Sequence, residues 1–281
     1  MFHRSPGDKG HLVLIGGNED RVGSKTVLKR IVSLGATGQI AVIPTASDYP
    51  REMGEKYERV FRELGVPRVT ALDIRYPGDP DKAGHRELVR GADVIFFTGG
   101  DQVKLVDILK GSELFGEIRR RFEAGATIAG TSAGAAAASD PMIFNGDENG
   151  FQKGAVRHAE GFGFLKGVTI DTHFLDRRRL PRLVQALCAG LSRHGLGLDE
   201  DTGVIVYPDR VAEVIGAGMV TALDTRQLRF TDYHTVRERE RFACEGIRLG
   251  FLTAGTFFNL NRWRVCSGRP RRRRPKVQSI I

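Results

Sequence analysis

The sequence predicts an α/β fold: a mostly parallel sheet flanked by helices, followed by a more antiparallel C-terminal portion. Two observations support this fold class. In the first two-thirds of the chain, short continuous apolar runs alternate with helix-like segments, as in parallel sheets buried on both faces. The last third holds short strand-like runs separated by glycine-containing turns, which is typical of antiparallel strands.

The elements of the first two-thirds follow from their periodicity. Predicted strands cover 11–15, 39–44, 69–74, 93–97 and 127–130. Helical spacing covers 24–33, 52–64, 86–90 and 103–124. Three of the strands end in glycine pairs or a small-residue turn, at Gly16-Gly17, Gly99-Gly100 and 131–134. Functional groups gather beyond the carboxyl ends of parallel strands, so we expect a site at this edge.

The last third begins with a short apolar strand at 168–170 and a helix within 171–194. Short strands are then predicted at 203–207, 211–215, 219–223, 247–252 and 256–260. The length suits one large domain, and we expect residues 1–266 to form a single catalytic α/β domain.

Composition bounds the class of protein. Hydrophobic residues make up 41% and charged residues 27% of the 281 residues, which is ordinary for a soluble globular protein. No apolar run approaches the roughly 18 residues of a transmembrane helix, and the run at 11–17 is too short for a signal-peptide core. The three cysteines show neither metal spacing nor a disulfide framework, which favours free thiols in the cytoplasm.

The formal net charge is +9, and much of the excess lies in the segment 267–281. A basic run between prolines is typical of a solvated, disordered tail. Nucleic-acid binding would depend on this tail alone, so we do not expect a nucleic acid as the partner. We expect no contact with a membrane either.

The strongest motif is Gly130-Thr131-Ser132-Ala133-Gly134, which matches the G-x-S-x-G nucleophile elbow. A sharp turn between strand and helix lifts the hydroxyl of Ser132 out of the sheet, and the flanking glycines permit the crowding. Amides at the start of the alanine-rich helix favour a developing negative charge. The motif predicts a nucleophilic serine; a purely structural turn is the alternative.

A nucleophilic serine needs a base, and seven histidines are available. His173 stands out because it follows the predicted strand 168–170 and should therefore lie at the same edge as Ser132. The other histidines lie near the N-terminus or in polar segments. A structural or surface histidine is the alternative interpretation.

The base needs an acid to orient it, and Asp199, Glu200 and Asp201 follow in one turn. Chemistry alone does not rank the three, and a solvated turn is the alternative. The chain order would be serine, histidine, acid. The α/β-hydrolases have the order serine, acid, histidine, so the sequence predicts a different fold.

An oxyanion hole should combine the amide of Ala133 with an amide from Gly99 or Gly100, because glycine lets the backbone approach the substrate closely. The second glycine loop, 16–20, lacks the G-x-G-x-x-G spacing of a dinucleotide site. We therefore expect no cofactor.

Four arginines lie within 176–182, just after His173. Guanidinium groups pair with carboxylates in a two-pronged geometry, so this segment suggests recognition of an acidic group. An exposed helix start is the alternative. Arginine is electrostatically unfavourable at a helix N-terminus, which favours a functional reason for the cluster.

Taken together, several segments resemble the cyanophycinases over roughly residues 11–260. The most specific are Gly99-Gly100-Asp101-Gln102, the Gly130–Gly134 elbow, and the Asp-x-His-Phe that contains His173. Further matching segments are 15–17, 43–47, 161–167, 171–182 and 198–202.

The resemblance implies a fold similar to peptidase E and the class I glutamine amidotransferases. It implies a Ser-His-Glu triad of Ser132, His173 and Glu200, and so selects Glu200 from the three acids. It also implies a homodimer, no metal, and cyanophycin as the substrate, a polyaspartate with arginine on each side chain, cleaved to β-aspartyl-arginine. The implied substrate contacts are Gln102, Asp171, Thr172, Arg177, Arg179 and Arg182.

The sequence departs from the family pattern in the substrate pocket. Thr172 stands where the family usually has glutamine, and 176–179 differs from the usual Gln-Arg-Gly-Arg. Peptidase activity is therefore better supported than cyanophycin specificity. An α-aspartyl dipeptidase like peptidase E, and a non-catalytic binding protein on the same fold, are the alternatives.

Overall fold

The apolar runs of the first two-thirds form adjacent strands of one sheet in the computed structural model, which describes residues 9–35, 38–82, 84–146 and 149–267. The predicted tail, 267–281, lies outside the described residues except for Ser267. Up to the serine motif the elements are β1 (Leu12–Ile15), α1 (Thr26–Leu34), β2 (Gln39–Ile43), α2 (Pro50–Glu63), β3 (Arg68–Ala71), a 3-10 turn (Asp79–Asp81), α3 (His85–Gly91), β4 (Val94–Phe97), α4 (Gln102–Leu109), α5 (Glu113–Glu123), β5 (Thr127–Thr131) and α6 (Ala133–Ala137).

The remaining elements are mostly short strands around one longer helix. They are β6 (Ser139–Asp140), β7 (Met142–Asn145), β8 (Arg157–Ala159), β9 (Leu165–Lys166), β10 (Thr169–Thr172), α7 (Leu180–Cys188), β11 (His194–Leu198), β12 (Thr202–Val206), β13 (Val211–Gly216), β14 (Val220–Asp224), β15 (Phe230–Thr231), β16 (Cys244–Glu245), β17 (Arg248–Leu252), β18 (Phe257–Asn259) and β19 (Arg264–Cys266).

The main sheet has nine strands in the order β19-β18-β13-β12-β1-β5-β4-β2-β3. The strands from β1 to β3 in this order are parallel, whereas β12, β13, β18 and β19 are added antiparallel to their neighbours. A second sheet has the order β10-β11-β14-β17. The predicted fold class, a mostly parallel sheet with a more antiparallel C-terminal portion, is confirmed.

Both faces of the main sheet are covered, as the continuous apolar strands require. Leu12 and Leu14 of β1 pack in one core cluster, while Val13 and Ile15 pack in another. Successive side chains of a strand point to opposite faces, so β1 contributes to a core on each side of the sheet.

One predicted helix, 103–124, is two helices. Gly111 has a φ of 93°, a conformation that ends α4, and the Ser112 side chain accepts a hydrogen bond from the amide of Phe115 to begin α5. The apolar spacing continues across the break because both helices pack on the same face of the sheet.

The strand β11 was not predicted, because its sequence, His-Gly-Leu-Gly-Leu, contains two glycines that disfavour strands. The structure shows why glycine stands there. A Cβ on Gly197 would lie 2.3 Å from the ring of Phe174, and one on Gly195 would lie 2.9 Å from Leu183. These glycines admit the bulky side chains of the chain that follows β10.

No helix in the described ranges combines the length and the apolar character that a membrane span requires.

Candidate active site

The carboxyl ends of β1, β4 and β5 meet at one edge of the main sheet, and an open cleft of about 410 Å³ lies there. Loops from both sheets complete it. The lining residues are Asn18, Glu19, Arg21, Met53, Tyr57, Gly99, Thr131, Ser132, His173, Arg177 and Glu200.

Ser132 occupies the turn between β5 and α6, with a φ of 51° and a ψ of −111°. Its amide donates to the carbonyl of Ile15 over 2.9 Å. A Cβ on Gly130 would lie 2.4 Å from the carbonyl oxygen of Gly134, and one on Gly134 would lie 2.5 Å from that of Phe97. Both glycines of the motif are therefore required by close backbone packing around the serine.

His173 directly follows β10 and also has a positive φ, 48°. Its amide donates to the carbonyl of Gly16 over 2.8 Å, which ties it to the loop after β1. Its Nε2 lies 2.9 Å from the Oγ of Ser132. The backbone of Gly17 lies against the imidazole, since a Cβ there would be 2.4 Å from the ring.

Glu200 reaches the same edge because β12 runs antiparallel to β1 and begins beside its carboxyl end. One carboxylate oxygen, Oε1, lies 2.7 Å from Nδ1 of His173. The other, Oε2, accepts a hydrogen bond of 2.8 Å from the side chain of Asn18. Ser132, His173 and Glu200 thus form one hydrogen-bonded chain.

The two neighbouring acids have other partners. The carboxylate of Asp199 accepts hydrogen bonds from the amides of Leu175 and Met219. Asp201 accepts from the amide of Asp20 over 2.9 Å. Both hold loops together, so Glu200 alone of the three meets the histidine.

The electrostatics suit proton transfer from the serine. Burial lowers the pKa of His173 below its ordinary value, and nearby Arg177 and Arg179 act in the same direction against the opposing effect of Glu200. Hydrogen bonds from Asn18 and His173 lower the pKa of Glu200. At neutral pH the imidazole is therefore uncharged and can accept the proton of Ser132, while Glu200 is ionised and can orient the ring.

The predicted oxyanion-hole residues lie around the serine in different ways. A Cβ on Gly99 would be 3.4 Å from the Cβ of Ser132, so this glycine keeps the space beside the nucleophile open. Ala133 is the first residue of α6, where amides lack acceptors within the helix. Gly100 has a φ of 141°, and a Cβ there would lie 2.0 Å from the carbonyl oxygen of Ala46, so close backbone packing requires glycine at this position.

Of the six side chains implied to contact substrate, Arg177 lines the cleft. Asp171 and Arg182 are both buried and paired with each other, with Nε of Arg182 2.7 Å from the Asp171 carboxylate. Arg182 also donates to the carbonyl of Gly146 over 2.9 Å. This ion pair joins the end of β10 to α7 and lies away from the lining of the cleft.

The other three side chains also lie outside the lining. Arg179 donates to the carbonyl of Thr172 over 2.7 Å, and Thr172 itself is buried. Burial and the neighbouring charge of Arg182 lower the pKa of Arg179 to about 10. Gln102 donates to the carbonyl of Ile143 over 2.9 Å. The contact between Arg179 and Thr172 adjoins His173, whereas that of Gln102 joins α4 to β7.

Sequence reasoning did not single out Asn18, Glu19, Arg21 or Tyr57, which line the cleft. The first three follow the glycine pair at the end of β1. The sequence of this loop indicated only that it lacks the glycine spacing of a dinucleotide-binding site. Their position beyond a parallel strand next to β5 was the signal that could have found them.

An α/β sheet that carries a serine on a strained turn, hydrogen-bonded to a histidine and a glutamate, has the construction of a hydrolase with a serine nucleophile. The chain belongs to peptidase family S51, whose family model matches residues 12–214, and it is a serine-type peptidase.

Several curated relatives with similar sequence identity are named cyanophycinase, which confirms the family resemblance. The chain is 36% identical over 255 residues to that of Geminocystis herdmanii, covering 89% of this chain and 94% of the relative. It is 36% identical over 270 residues to that of Synechococcus elongatus, covering 94% and 83%. It is 34% identical over 256 residues to that of Trichormus variabilis, covering 90% and 86%.

Solved structures show the same fold at lower identity. A crystal structure of a peptidase from an acI-B1 actinobacterium superposes with a TM-score of 0.68 at 21% identity, over 90% of this chain and 98% of that one. A candidate peptidase E protein from Listeria monocytogenes superposes with a TM-score of 0.53 at 18% identity, over 75% and 100%.

Proposed function

We propose that this peptidase hydrolyses cyanophycin and releases β-aspartyl-arginine dipeptides, with Ser132, His173 and Glu200 as its catalytic triad. The observation that carries the proposal is the hydrogen-bonded chain from the Oγ of Ser132 through the imidazole to Glu200. The curated relatives named cyanophycinase, each aligned over most of its length, support the choice of substrate.

In the first half of the reaction the Oγ of Ser132 attacks the scissile carbonyl and its proton passes to Nε2 of His173. The carbonyl oxygen becomes an oxyanion, for which the amides of Gly99 and Ala133 are the proposed donors. The C–N bond then breaks, the imidazolium gives its proton to the leaving amine, and an acyl-enzyme ester remains on Ser132. Glu200 stabilises the imidazolium while it is charged.

In the second half a water molecule attacks the ester carbonyl and gives a proton to His173. The C–O bond to Ser132 breaks, the serine recovers its proton from the imidazolium, and the acid product leaves. No further reactant is required, because water supplies both the hydroxyl of the product and the balancing proton.

The cleft offers a positive charge that fits a carboxylate of the substrate. Arg177 is exposed at the rim, where its guanidinium can pair with a carboxylate of the arginyl or terminal aspartyl units. Glu200 and Glu19 are the lining acids, and both are already engaged within the protein. Because Arg177 is an exposed cation in the lining of the cleft, we assign carboxylate recognition to it.

The proposal is tested first with Ser132→Ala. Hydrolysis should disappear while the thermal unfolding midpoint stays close to that of the wild type, because the removed hydroxyl lies at a turn. Ser33→Ala, at an exposed position of α1, is the matched control and should retain full turnover. A small organophosphorus reagent should label Ser132 in the wild type, as read by peptide mass. Near-normal turnover by the alanine variant would refute the triad.

The substrate is tested by incubating the enzyme with purified cyanophycin and, separately, with Asp-X dipeptides, and reading the products by mass. β-Aspartyl-arginine from cyanophycin alone supports the proposal. Cleavage of the dipeptides without release from the polymer would instead assign an aspartyl dipeptidase to the same triad.

A further inference from the structure

A buried carboxylate, Glu19, lies beneath the cleft and has no role in the proposed reaction. Its side chain is fully excluded from solvent. One oxygen, Oε2, accepts a hydrogen bond of 2.5 Å from the hydroxyl of Thr131. The other accepts from the hydroxyl of Tyr57 and, at 3.3 Å, from the guanidinium of Arg21. A buried charge is costly unless it is paired and hydrogen-bonded, and here it has one cation and two hydroxyl donors.

Thr131 connects this carboxylate to the nucleophile. It is the last residue of β5 and immediately precedes Ser132, whose φ of 51° is sparsely populated for residues other than glycine. Such a conformation persists only where the surroundings over-determine it. The Thr131 hydroxyl is one such constraint on the turn, and the bond from the Ser132 amide to Ile15 is another.

Glu19 also belongs to the loop that touches the other two members of the triad. In this loop the carbonyl of Gly16 accepts the amide of His173, and Asn18 donates to Glu200. Glu19 adds the corresponding contact on the serine side, so the loop after β1 is bonded to all three catalytic segments.

We propose that Glu19 is a positioning residue for the nucleophile, acting through the hydroxyl of Thr131 to hold the turn that carries Ser132. This inference rests on the proposed function, in which Ser132 is the nucleophile. A misplaced nucleophile slows attack on the carbonyl without changing how the substrate binds, so the role predicts a loss in kcat rather than a rise in KM.

The competing explanation is direct contact with substrate, because Glu19 and Thr131 both line the cleft. The two roles differ in what they change. A substrate contact present in the ground state changes KM, whereas a positioning contact changes kcat and also the reaction of Ser132 with a small reagent that occupies no substrate subsite.

The experiment compares Thr131→Val, Thr131→Ser and Thr127→Val in the full chain. Thr131→Val removes the hydroxyl at constant volume and should lower kcat by about tenfold, with KM unchanged. Its rate of inactivation by a small organophosphorus serine reagent should fall by a similar factor. Thr131→Ser keeps the hydroxyl and should restore both rates to near the wild-type values.

Thr127→Val is the matched control, since Thr127 is equally buried at the other end of β5. It should keep the wild-type kcat. Glu19→Gln combined with Thr131→Val should lose less activity than the product of the two single losses, because both changes break one connection.

A rise in KM with an unchanged kcat for Thr131→Val would overturn the proposal in favour of substrate contact. Equal losses of kcat for Thr131→Val and Thr127→Val would overturn it in favour of a general effect on β5. Failure of the proposed function is distinguishable, because it would appear as retained turnover in Ser132→Ala.

Discussion

At the scale of single residues, the proposed reaction depends on the protonation of His173. Because burial lowers the pKa of His173, with Arg177 and Arg179 contributing, the acid limb of kcat/KM should have its midpoint below the ordinary histidine value of 6.5. Arg177→Gln removes one of the cations that disfavour the imidazolium. Its acid limb should therefore move to higher pH, as measured from kcat/KM across a pH series.

Arg178→Gln is the control for this shift, since it removes the same charge from the neighbouring exposed residue. Its acid limb should stay nearer that of the wild type. If both substitutions move the midpoint equally, the effect reports the overall charge of the segment and the specific role of Arg177 is wrong.

The second prediction at the scale of single residues concerns Gly17. With a φ of 105° and a Cβ position 2.4 Å from the ring of His173, alanine there must displace the imidazole. A displacement near 1 Å costs about a hundredfold in rate, so Gly17→Ala should lower kcat by about that factor.

Gly65→Ala separates backbone strain from this collision. Gly65 also has a positive φ, 86°, but a Cβ there would meet no heavy atom within 4 Å. Both variants should lose roughly 1–2 kcal/mol in urea unfolding from the strained backbone, Gly17→Ala should lose more because of the collision, and Gly17→Ala alone should lose activity. A fully active Gly17→Ala would show that the ring has room to move.

The residues of the candidate site differed in how well the sequence predicted them. Ser132 and His173 were predicted because each directly follows a buried apolar strand. Glu200 was selected only through the family resemblance, since what distinguishes it from Asp199 is the amides of Leu175 and Met219. The role of Glu19 depends on Thr131, 112 positions away, and no local pattern encodes such a partner.

At the scale of elements, the Asp171–Arg182 pair joins the end of β10 to the first turn of α7. Removing one partner of a buried ion pair leaves the other charge uncompensated, at a typical cost of about 3–5 kcal/mol. Asp171→Asn should therefore lower the free energy of unfolding in urea by an amount of this order. The substrate-contact role implied by the resemblance predicts a rise in KM with stability retained.

The double variant Asp171→Leu/Arg182→Met is the companion measurement. Replacing both partners with apolar groups removes both charges of this pair and leaves only Arg179, 3.8 Å from Asp171, without its acid, so the double variant should lose less stability than Asp171→Asn. A double variant that is less stable than the single one would show that contacts other than the pair dominate, such as that of Arg182 with Gly146.

Periodicity predicted an element where its conformation depends on residues that are close to one another in the sequence. The parallel strands and α2 lie within a few residues of their predicted bounds. The break between α4 and α5 was not predicted because the apolar spacing continues through Gly111. Strand β11 was not predicted because its glycines are required by the packing of Phe174 and Leu183. The first break is set within the segment, by Gly111 and the cap of Ser112, whereas the contacts that decide β11 lie outside it.

At the scale of the whole molecule, stability should fall as the pH drops from 7 toward 5. Burial is the main cause of the lowered pKa of both His173 and His194. As the pH falls below 6.5 the unfolded chain therefore binds protons at these positions before the folded one does, which favours unfolding. The loss continues until the pH reaches their lowered folded pKa values.

Thermal unfolding midpoints at intervals between pH 7 and 5 measure this loss. The partly buried His194 stacks on the buried ring of Trp263 at a centroid distance of 4.2 Å, and neither residue lines the cleft. His194→Gln should flatten the pH dependence without changing the acid limb of activity. An unaltered slope would mean that His194 does not contribute.

A homodimer remains a prediction from the family resemblance, and light scattering after size exclusion would measure the mass directly. The expected mass is twice the 31.0 kDa of the chain.

The pairing of β1 with β12 also governs when activity can arise during synthesis. The amide of Gly16 donates to the carbonyl of Thr202, and that of Asp201 donates to Gly17, so the loop after β1 is completed by a segment made long after it. A nascent chain that has exposed Ser132 and His173 still lacks Glu200, the third member of the proposed triad, and this closing strand. Under the proposed function, β12 must therefore be synthesised before the cleft can hydrolyse a substrate, so the emerging chain should be inactive for most of its time on the ribosome.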